Sequence, residues 1–365
     1  MGKHKVEKKD KGNKAAKKPS NLPKHEGNAK VGDKFILEKG PTPSILEPKD
    51  ITRIHVLPET LLKTEDDVIE RYGYKLEKQL DEGGFGVIFF ARDIRRNQMA
   101  ACKRCDLGKD WKDGRIQDMK NELFIMEKVN HLYLIKLYTH FITSTKETGN
   151  RLFIFMELAD SGNFAKFCKT KGTLDERIAK LYWAQILCGI NHMHSLGIAH
   201  RDIKLQNILL FKSSSSISGD VICLISDFGL SRILHHEGKD VAMAKTICGT
   251  PLFMAPEILL KKPYNAFLVD VWALGVTLYI MMTLELPFDF RDTNAAVKKM
   301  IDRDWSLEDA KCKSKCSAEL RDIIKIMLEP EVKKRSTLHK LIIHKWSSTE
   351  YKLAQKAANK QAQAD

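Results

Sequence analysis

"HRDIKLQNILL" (His200–Leu210) and "LISDFGLS" (Leu224–Ser231) decide how this chain is read. Each sets one carboxylate beside small or flexible neighbours, between short apolar runs that read as strands. Asp202, Asn207 five residues on, and Asp227 put three oxygen-bearing side chains on two neighbouring hairpin-like segments. Such oxygens suit Mg2+, which takes one or two carboxylates plus substrate phosphates rather than a closed protein cage. Lys204 adds a positive charge between them, where a phosphoryl group in transfer needs one. Singly, each Asp or Asn reads as a turn or cap residue; order and spacing argue for a site.

With these residues in view, the chain resembles the eukaryotic protein kinase family over about residues 74–346. "HRDIKLQN" is similar to the family's catalytic loop, "DFG" to its metal-binding motif, and "MAPE" (Met254–Glu257) to the end of its activation segment. "AACK" resembles the strand bearing the phosphate-binding lysine, which makes that residue Lys103. Glu122 in "NELFIM" falls where the glutamate paired with that lysine is expected. "DVWALG" (Asp270–Gly275) resembles the buried helix of the large lobe, and Arg335 the arginine that pairs with Glu257. The stretch Leu80, Asp81, Glu82, Gly83, Gly84, Phe85, Gly86, Val87, Ile88 falls where the ATP-covering loop belongs. Gly83, Phe85 and Gly86 match its pattern, but Asp81 stands where a first glycine is expected.

The resemblance implies an α+β, bilobal protein-kinase fold, with a small β-rich lobe at about 74–157 and a larger helical lobe at about 163–346. It implies transfer of the γ-phosphate of ATP to Ser/Thr hydroxyls of protein substrates. Asp202 is then the catalytic base, Asn207 and Asp227 hold Mg2+, and Lys103, fixed by Glu122, grips the α/β-phosphates. Lys204 sits near the phosphate in transfer. Met156, Glu157 and Leu158 form the hinge beside adenine, and Ala101 and Leu209 sandwich the base with Ile88 in contact. Lys204 and Thr250 resemble the serine/threonine type, and Met254 in place of an arginine argues against a required proline after the target. Thr246 stands where relatives are phosphorylated by an upstream kinase, and a phosphate there would pair with Arg201. Asn163 and Gln206 occupy places that hold acids in arginine-preferring relatives, so a weak arginine preference is expected. The flavour is closest to the calcium/calmodulin-dependent group, with a likeness to the testis-specific serine kinases. Only 19 residues follow Trp346, so calmodulin is not an expected partner. Asp81 brings a carboxylate near a polyanion and is expected to weaken ATP binding. It is the only support for the alternative, a catalytically weak pseudokinase acting as a scaffold.

The bulk numbers agree with a folded body and a charged tail. Of 365 residues 43% are apolar, enough for a sizeable core. The formal charge is +14, but residues 1–30 carry ten lysines against three acids, a net of +7. Half the excess therefore sits in one stretch, and nucleic acid is not indicated beyond it. Residues 1–50 read as a disordered basic tail, 51–73 as an N-terminal extension that docks on the body, and 347–365 as a polar tail that frays. Eight cysteines form no disulfide-like framework; Cys102/Cys105 and Cys312/Cys316 lack the partners that would complete a zinc site. Reduced thiols and the absence of a leader-like run lead to a cytoplasmic expectation, with nuclear import through the lysines as the alternative. "VWALGVTLYIMMTL" (Val271–Leu284), at 14 residues, reads as a core helix rather than a membrane span.

Overall fold

Alternating apolar residues between Tyr74 and Glu157 fold into a five-stranded antiparallel sheet. The strands are β1 (Tyr74–Gly83), β2 (Gly86–Asp93), β3 (Gln98–Gly108), β4 (Leu137–Thr145) and β5 (Gly149–Glu157), in the order β1-β2-β3-β5-β4. The computed structural model describes residues 64–363, except 84–85, 109–113, 146–147, 214–216, 218–220, 235, 238–239, 242, 309–311 and 313–315. The basic tail, the extension up to residue 63, Gly84, Phe85 and most of the Ser-rich loop at 212–220 therefore lie outside the described residues.

The period of two divides the sheet between two cores. Tyr74, Ala91, Ala100, Cys102, Phe141, Phe153 and Phe155 form one cluster, closed by Val68 and Ile69 of helix α1 (Glu65–Arg71). A reciprocal cap starts that helix: Thr64 Oγ1 accepts from Asp67 N–H at 3.2 Å, and Thr64 N–H donates to Asp67 Oδ2 at 3.0 Å. Glu65 is pinned by Arg151 at 2.9 Å and by the Thr143 hydroxyl at 3.1 Å. The other sheet face meets α2 (Gly114–Lys128) and the large lobe. One apolar stripe, Met119, Leu123, Met126 and Val129, is the sequence expectation for α2. Instead every residue from Asn121 to Met126 is buried, because α2 packs on the sheet and also touches the segment after β8 (Val221–Ile225).

The large lobe is built around α4 (Glu176–Ser195) and α6 (Ala266–Thr283), with Trp183, Trp272 and Trp346 fully buried. Asn265 caps α6, which runs 18 residues rather than the 14 of its apolar core. Among the described residues it is the one helix long and apolar enough to cross a membrane, and most of it is buried in the lobe. Short elements hold the loops: α3 (Phe164–Lys171), β6 (Ile198–Ala199), β7 (Ile208–Lys212, paired with β8), β9 (Arg232–Ile233, paired with β6) and α5 (Pro256–Leu259). Helices α7 (Thr293–Asp302), α8 (Ala318–Met327) and α9 (Leu338–Ile342) complete the far side.

The last stretch corrects the expectation of a frayed tail. Ser348–Ala362 is a helix, α10, lying on α4. It buries Tyr351, Ala354 and Ala358, an i, i+3, i+7 stripe too narrow to stand out in a polar sequence. Asn191 Nδ2 donates to the Tyr351 hydroxyl at 3.1 Å, and the Tyr133 hydroxyl donates to the Ala354 carbonyl at 3.2 Å.

Candidate active site

Asp270, in the second turn of the apolar helix α6, organises the loop between β6 and β7. Its carboxylate is wholly buried and accepts from the backbone N–H of His200 and of Arg201, each at 2.8 Å, and contacts His194 Nε2 at 2.8 Å. A buried carboxylate costs several kcal/mol unless paired and hydrogen-bonded, and three partners meet that cost here. The same bonds hold Arg201 at φ 66°, a strained conformation for a non-glycine residue. His200 is buried as well, with Nδ1 accepting from Asp202 N–H at 3.2 Å and Nε2 3.2 Å from the Ser226 carbonyl. The tautomer with the proton on Nε2 satisfies both contacts.

Asp202 is the most heavily bonded side chain of the loop. Lys204 Nζ donates to Oδ2 at 2.6 Å, and the Thr250 hydroxyl and N–H donate to Oδ1 at 2.8 and 3.0 Å. Asn207 Nδ2 adds a bond to Oδ2 at 3.0 Å. Burial alone would raise the Asp202 pKa, but the Lys204 and Thr250 bonds outweigh it and hold the carboxyl below its ordinary value. Gly249 makes this seat possible: it sits at φ 103°, and a Cβ there would lie 2.8 Å from the Arg201 carbonyl oxygen.

The hairpin of β7 and β8 sets the two remaining oxygens. The Asn207 amide nitrogen is taken by Asp202, which leaves its carbonyl oxygen without a donor among the described residues. Asp227 is half-buried at φ 66°, and its carboxylate has no hydrogen bond among them. No group of three His, Cys, Asp or Glu side chains among the described residues could hold a metal. The uncommitted oxygens of Asn207 and Asp227 instead fit a hard cation that completes its shell with phosphate oxygens and water.

Lys103 on β3 meets Glu122 on α2 at 2.8 and 3.0 Å. Burial would lower the Lys103 pKa, but the Glu122 carboxylate, with Cys105 and Asp227 behind it, keeps the ammonium above its ordinary value. Two contacts seat α2 against the large lobe: Asn121 Nδ2 donates to the Ser231 carbonyl at 2.7 Å, and Arg232 meets Asp118 at 2.7 Å. The Glu122 and Asp227 carboxylates flank Gly229, whose added Cβ would lie 3.7 and 3.5 Å from them.

The residues expected around the base lie on β2, β3, β5 and β7. Ala101 pairs with Met156 across β3 and β5, Ile88 with Lys103 across β2 and β3, and Leu209 is half-buried on β7. The Glu157 N–H is committed to the Lys136 carbonyl at 2.9 Å, so it is not a donor to a base; the Leu158 N–H has no backbone partner among the described residues. In the glycine-rich turn, Gly86 at φ 130° could carry no side chain, since a Cβ would lie 2.3 Å from the Arg104 carbonyl oxygen. Val87 is half-buried beside it, and Gly83 pairs with Gly86. Leu80 and Glu82 are exposed. Asp81 is exposed too, beside a register shift, and its Oδ1 accepts the Glu82 N–H at 2.9 Å.

Thr246 is exposed and does not touch Arg201 directly. The Tyr264 hydroxyl bridges them, donating to the Thr246 carbonyl at 2.7 Å and accepting from Arg201 Nη1 at 3.4 Å. Arg201 Nε is spent on the Leu230 carbonyl at 2.8 Å. Glu257 and Arg335 form a buried pair with two bonds, 2.6 and 2.8 Å. Sequence reasoning used Thr250 only as a mark of type and missed its bonds to Asp202 and Lys204. It also missed Asp270 as the anchor, although a lone carboxylate inside an apolar helix is itself a signal.

Comparison with known proteins adds three findings. The protein kinase domain family matches residues 74–347. CBL-interacting serine/threonine-protein kinase 12 of Arabidopsis thaliana is 31% identical over 303 residues, 83% of this chain and 58% of its own length. Testis-specific serine/threonine-protein kinase 1 of Homo sapiens is 34% identical over 282 residues, 76% of this chain and 72% of its own. The chain thus spans little more than half of the plant relative and most of the human one.

Proposed function

We propose, since the chain belongs to the protein kinase family and to its serine/threonine type, that it transfers the γ-phosphate of ATP to serine and threonine hydroxyls of protein substrates. One observation carries this reading: the Lys103–Glu122 pair is closed at 2.8 Å while Asp227 and Asn207 keep oxygens uncommitted beside an ionised Asp202. Mg2+-ATP, when bound, supplies the phosphoryl group and neutralises the charge that develops on it. Lys103 would hold the phosphates with little left to order, because Glu122 already fixes it. Asp202 would orient the substrate hydroxyl and take its proton at a carboxylate oxygen. Lys204, now bonded to Asp202 and Thr250, would carry positive charge to the phosphate in transfer. Asn207 and Asp227 would hold the cation through their open oxygens.

The test compares wild type with Asp202→Ala in phosphotransfer from ATP to a generic basic protein. A rate lower by about 10²–10⁴-fold is expected, with the thermal shift by Mg2+-ATP retained. Equal rates would instead favour the scaffold reading. Substrates should show no dominant arginine three residues before the target. Asn163 caps α3 by accepting Lys166 N–H at 3.0 Å and Gln206 is exposed, so neither place offers a carboxylate. Phosphorylation of Thr246 would add charge on the Tyr264 side of Arg201 and order the segment. The lysine-rich N-terminus is proposed to direct a cytoplasmic or nuclear location, tested by deleting residues 1–30.

A further inference from the structure

At the end of β1 and β2 opposite the glycine-rich turn, Arg71, Tyr72, Tyr74, Asp93, Arg95, Arg96, Tyr138 and Thr139 line a cleft of about 570 Å³. Its charge is unbalanced. Asp93 is buried and consumed as a turn cap: Oδ1 accepts the N–H of Arg95 and of Arg96 at 3.0 and 2.9 Å, and Oδ2 takes Arg96 Nη1 at 3.3 Å. The Arg95 guanidinium lies along the Gly73 backbone and donates to the Arg71 carbonyl at 3.2 Å, without a carboxylate among the described residues. The Arg71 guanidinium has no acidic partner among them either. The lining thus carries three exposed arginines against one acid, a positive surplus that attracts an anion.

The remaining lining specifies the anion. A guanidinium fork matches phosphate oxygens in pairs, and a phosphate monoester carries about −1.5 to −2 near pH 7, so two guanidiniums suit it. Tyr72, Tyr74 and Tyr138 add ring walls, and burial, then the Glu157 carboxylate, pushes Tyr138 up to about 12, so its hydroxyl stays protonated. Tyr138 lies where the β4–β5 register shifts between Leu137 and Thr139, and such a bulge re-aims a side chain. Moreover β4 is the last strand of the sheet, so its outer edge has no ladder partner among the described residues to compete with a peptide backbone.

We propose that this cleft is a second, non-catalytic site that binds a phosphate monoester presented on a protein partner. Arg71 and Arg95 hold the phosphate, the tyrosines flank it, and the start of β4 supports the chain that carries it. The test titrates the full chain with a fluorescent phosphoserine peptide, its unphosphorylated twin, inorganic phosphate and glucose 6-phosphate. The phosphopeptide should bind at least about tenfold more tightly than its twin and than either small anion. Arg71→Ala, which removes no side-chain bond among the described residues, should weaken it about tenfold; Arg71→Ala/Arg95→Ala more so; Arg96→Ala, already paired, less. Phosphotransfer to a generic basic protein should be unchanged in Arg71→Ala. The proposal is overturned if both peptides bind alike, if a small anion binds as tightly as the phosphopeptide, or if Arg71→Ala has no effect while Lys103→Met abolishes binding.

Discussion

Glu257 and Arg335 meet through two parallel bonds at 2.6 and 2.8 Å, whereas Lys103 meets Glu122 as a single ammonium across two elements, at 2.8 and 3.0 Å. The first pair is shut in. Arg335 spends Nε on the Glu329 carbonyl and a further Nη1 contact on the Leu268 carbonyl, and its guanidinium lies 5.1 Å from the Trp272 ring centroid. The second depends on where α2 sits, and Asn121 and Asp118 hold α2 to the large lobe. Arg335 is enclosed by carbonyls and a ring, whereas Lys103 also lies in the field of the Asp227 carboxylate. Two pairs of opposite charge therefore differ in purpose through what surrounds them. A planar fork with its donors used fixes a fold, and a point charge on a flexible stem beside open oxygens can hold a ligand.

The comparison breaks most readily at Arg335. Arg335→Ala should cost about 3–5 kcal/mol, because it strands Glu257 as a buried charge. Glu257→Leu/Arg335→Met should recover part of that loss, and chemical denaturation measures both. Lys103→Met should act the other way round, with phosphotransfer down about 10²-fold or more and a smaller loss of stability than Arg335→Ala. If Lys103→Met unfolds the protein more readily than Arg335→Ala does, the division into structural and functional pairs is wrong.

The pH profile sharpens the same contrast. Asp202 is held below its ordinary pKa, so its contribution to stability is present above the unfolded value of about 3.9 and lost as pH falls through the folded one. Lys103 is held above its ordinary value, so its contribution is complete below about 10.4 and lost as pH rises through the folded value. Neither group titrates between those limits. Phosphotransfer should therefore show no limb from either between about pH 5 and 9, and a limb that moves with Thr250→Val inside that window would contradict the assignment of Asp202.

Much of this site was legible because kinase chemistry concentrates in short stretches. "HRDIKLQN" and "DFG" each place side chains within one turn or hairpin, so spacing carries the geometry. What escaped was coupling over distance. Thr250 reaches Asp202 across 48 positions and Asp270 reaches Arg201 across 69, and no local period records either. The α10 helix escaped for another reason: its buried face is Tyr351 and two alanines, residues too small and too sparse to outweigh a polar surface in the sequence. The cleft at Arg71 was invisible because α1, the β2–β3 turn and β4 meet only in the fold.

The smallest expected effect concerns Asp81, where composition alone gave an ambiguous answer. Its side chain points neither across the sheet nor to a partner lobe; it turns back on the Glu82 N–H, and it is exposed. Two consequences separate. One loop N–H is unavailable to a phosphate, and one negative charge stands near a polyanion in high-dielectric surroundings, each worth about 0–1 kcal/mol. Asp81→Gly removes both and should lower the Michaelis constant for ATP by about two- to threefold, with turnover unchanged. Asp81→Asn keeps an oxygen to accept the Glu82 N–H and removes only the charge. Equal effects of the two variants assign the penalty to charge and predict that salt reduces it. An effect confined to Asp81→Gly assigns it to the occupied N–H. If neither moves the constant, the carboxylate is a neutral exposed residue, and the scaffold reading loses the observation it rests on.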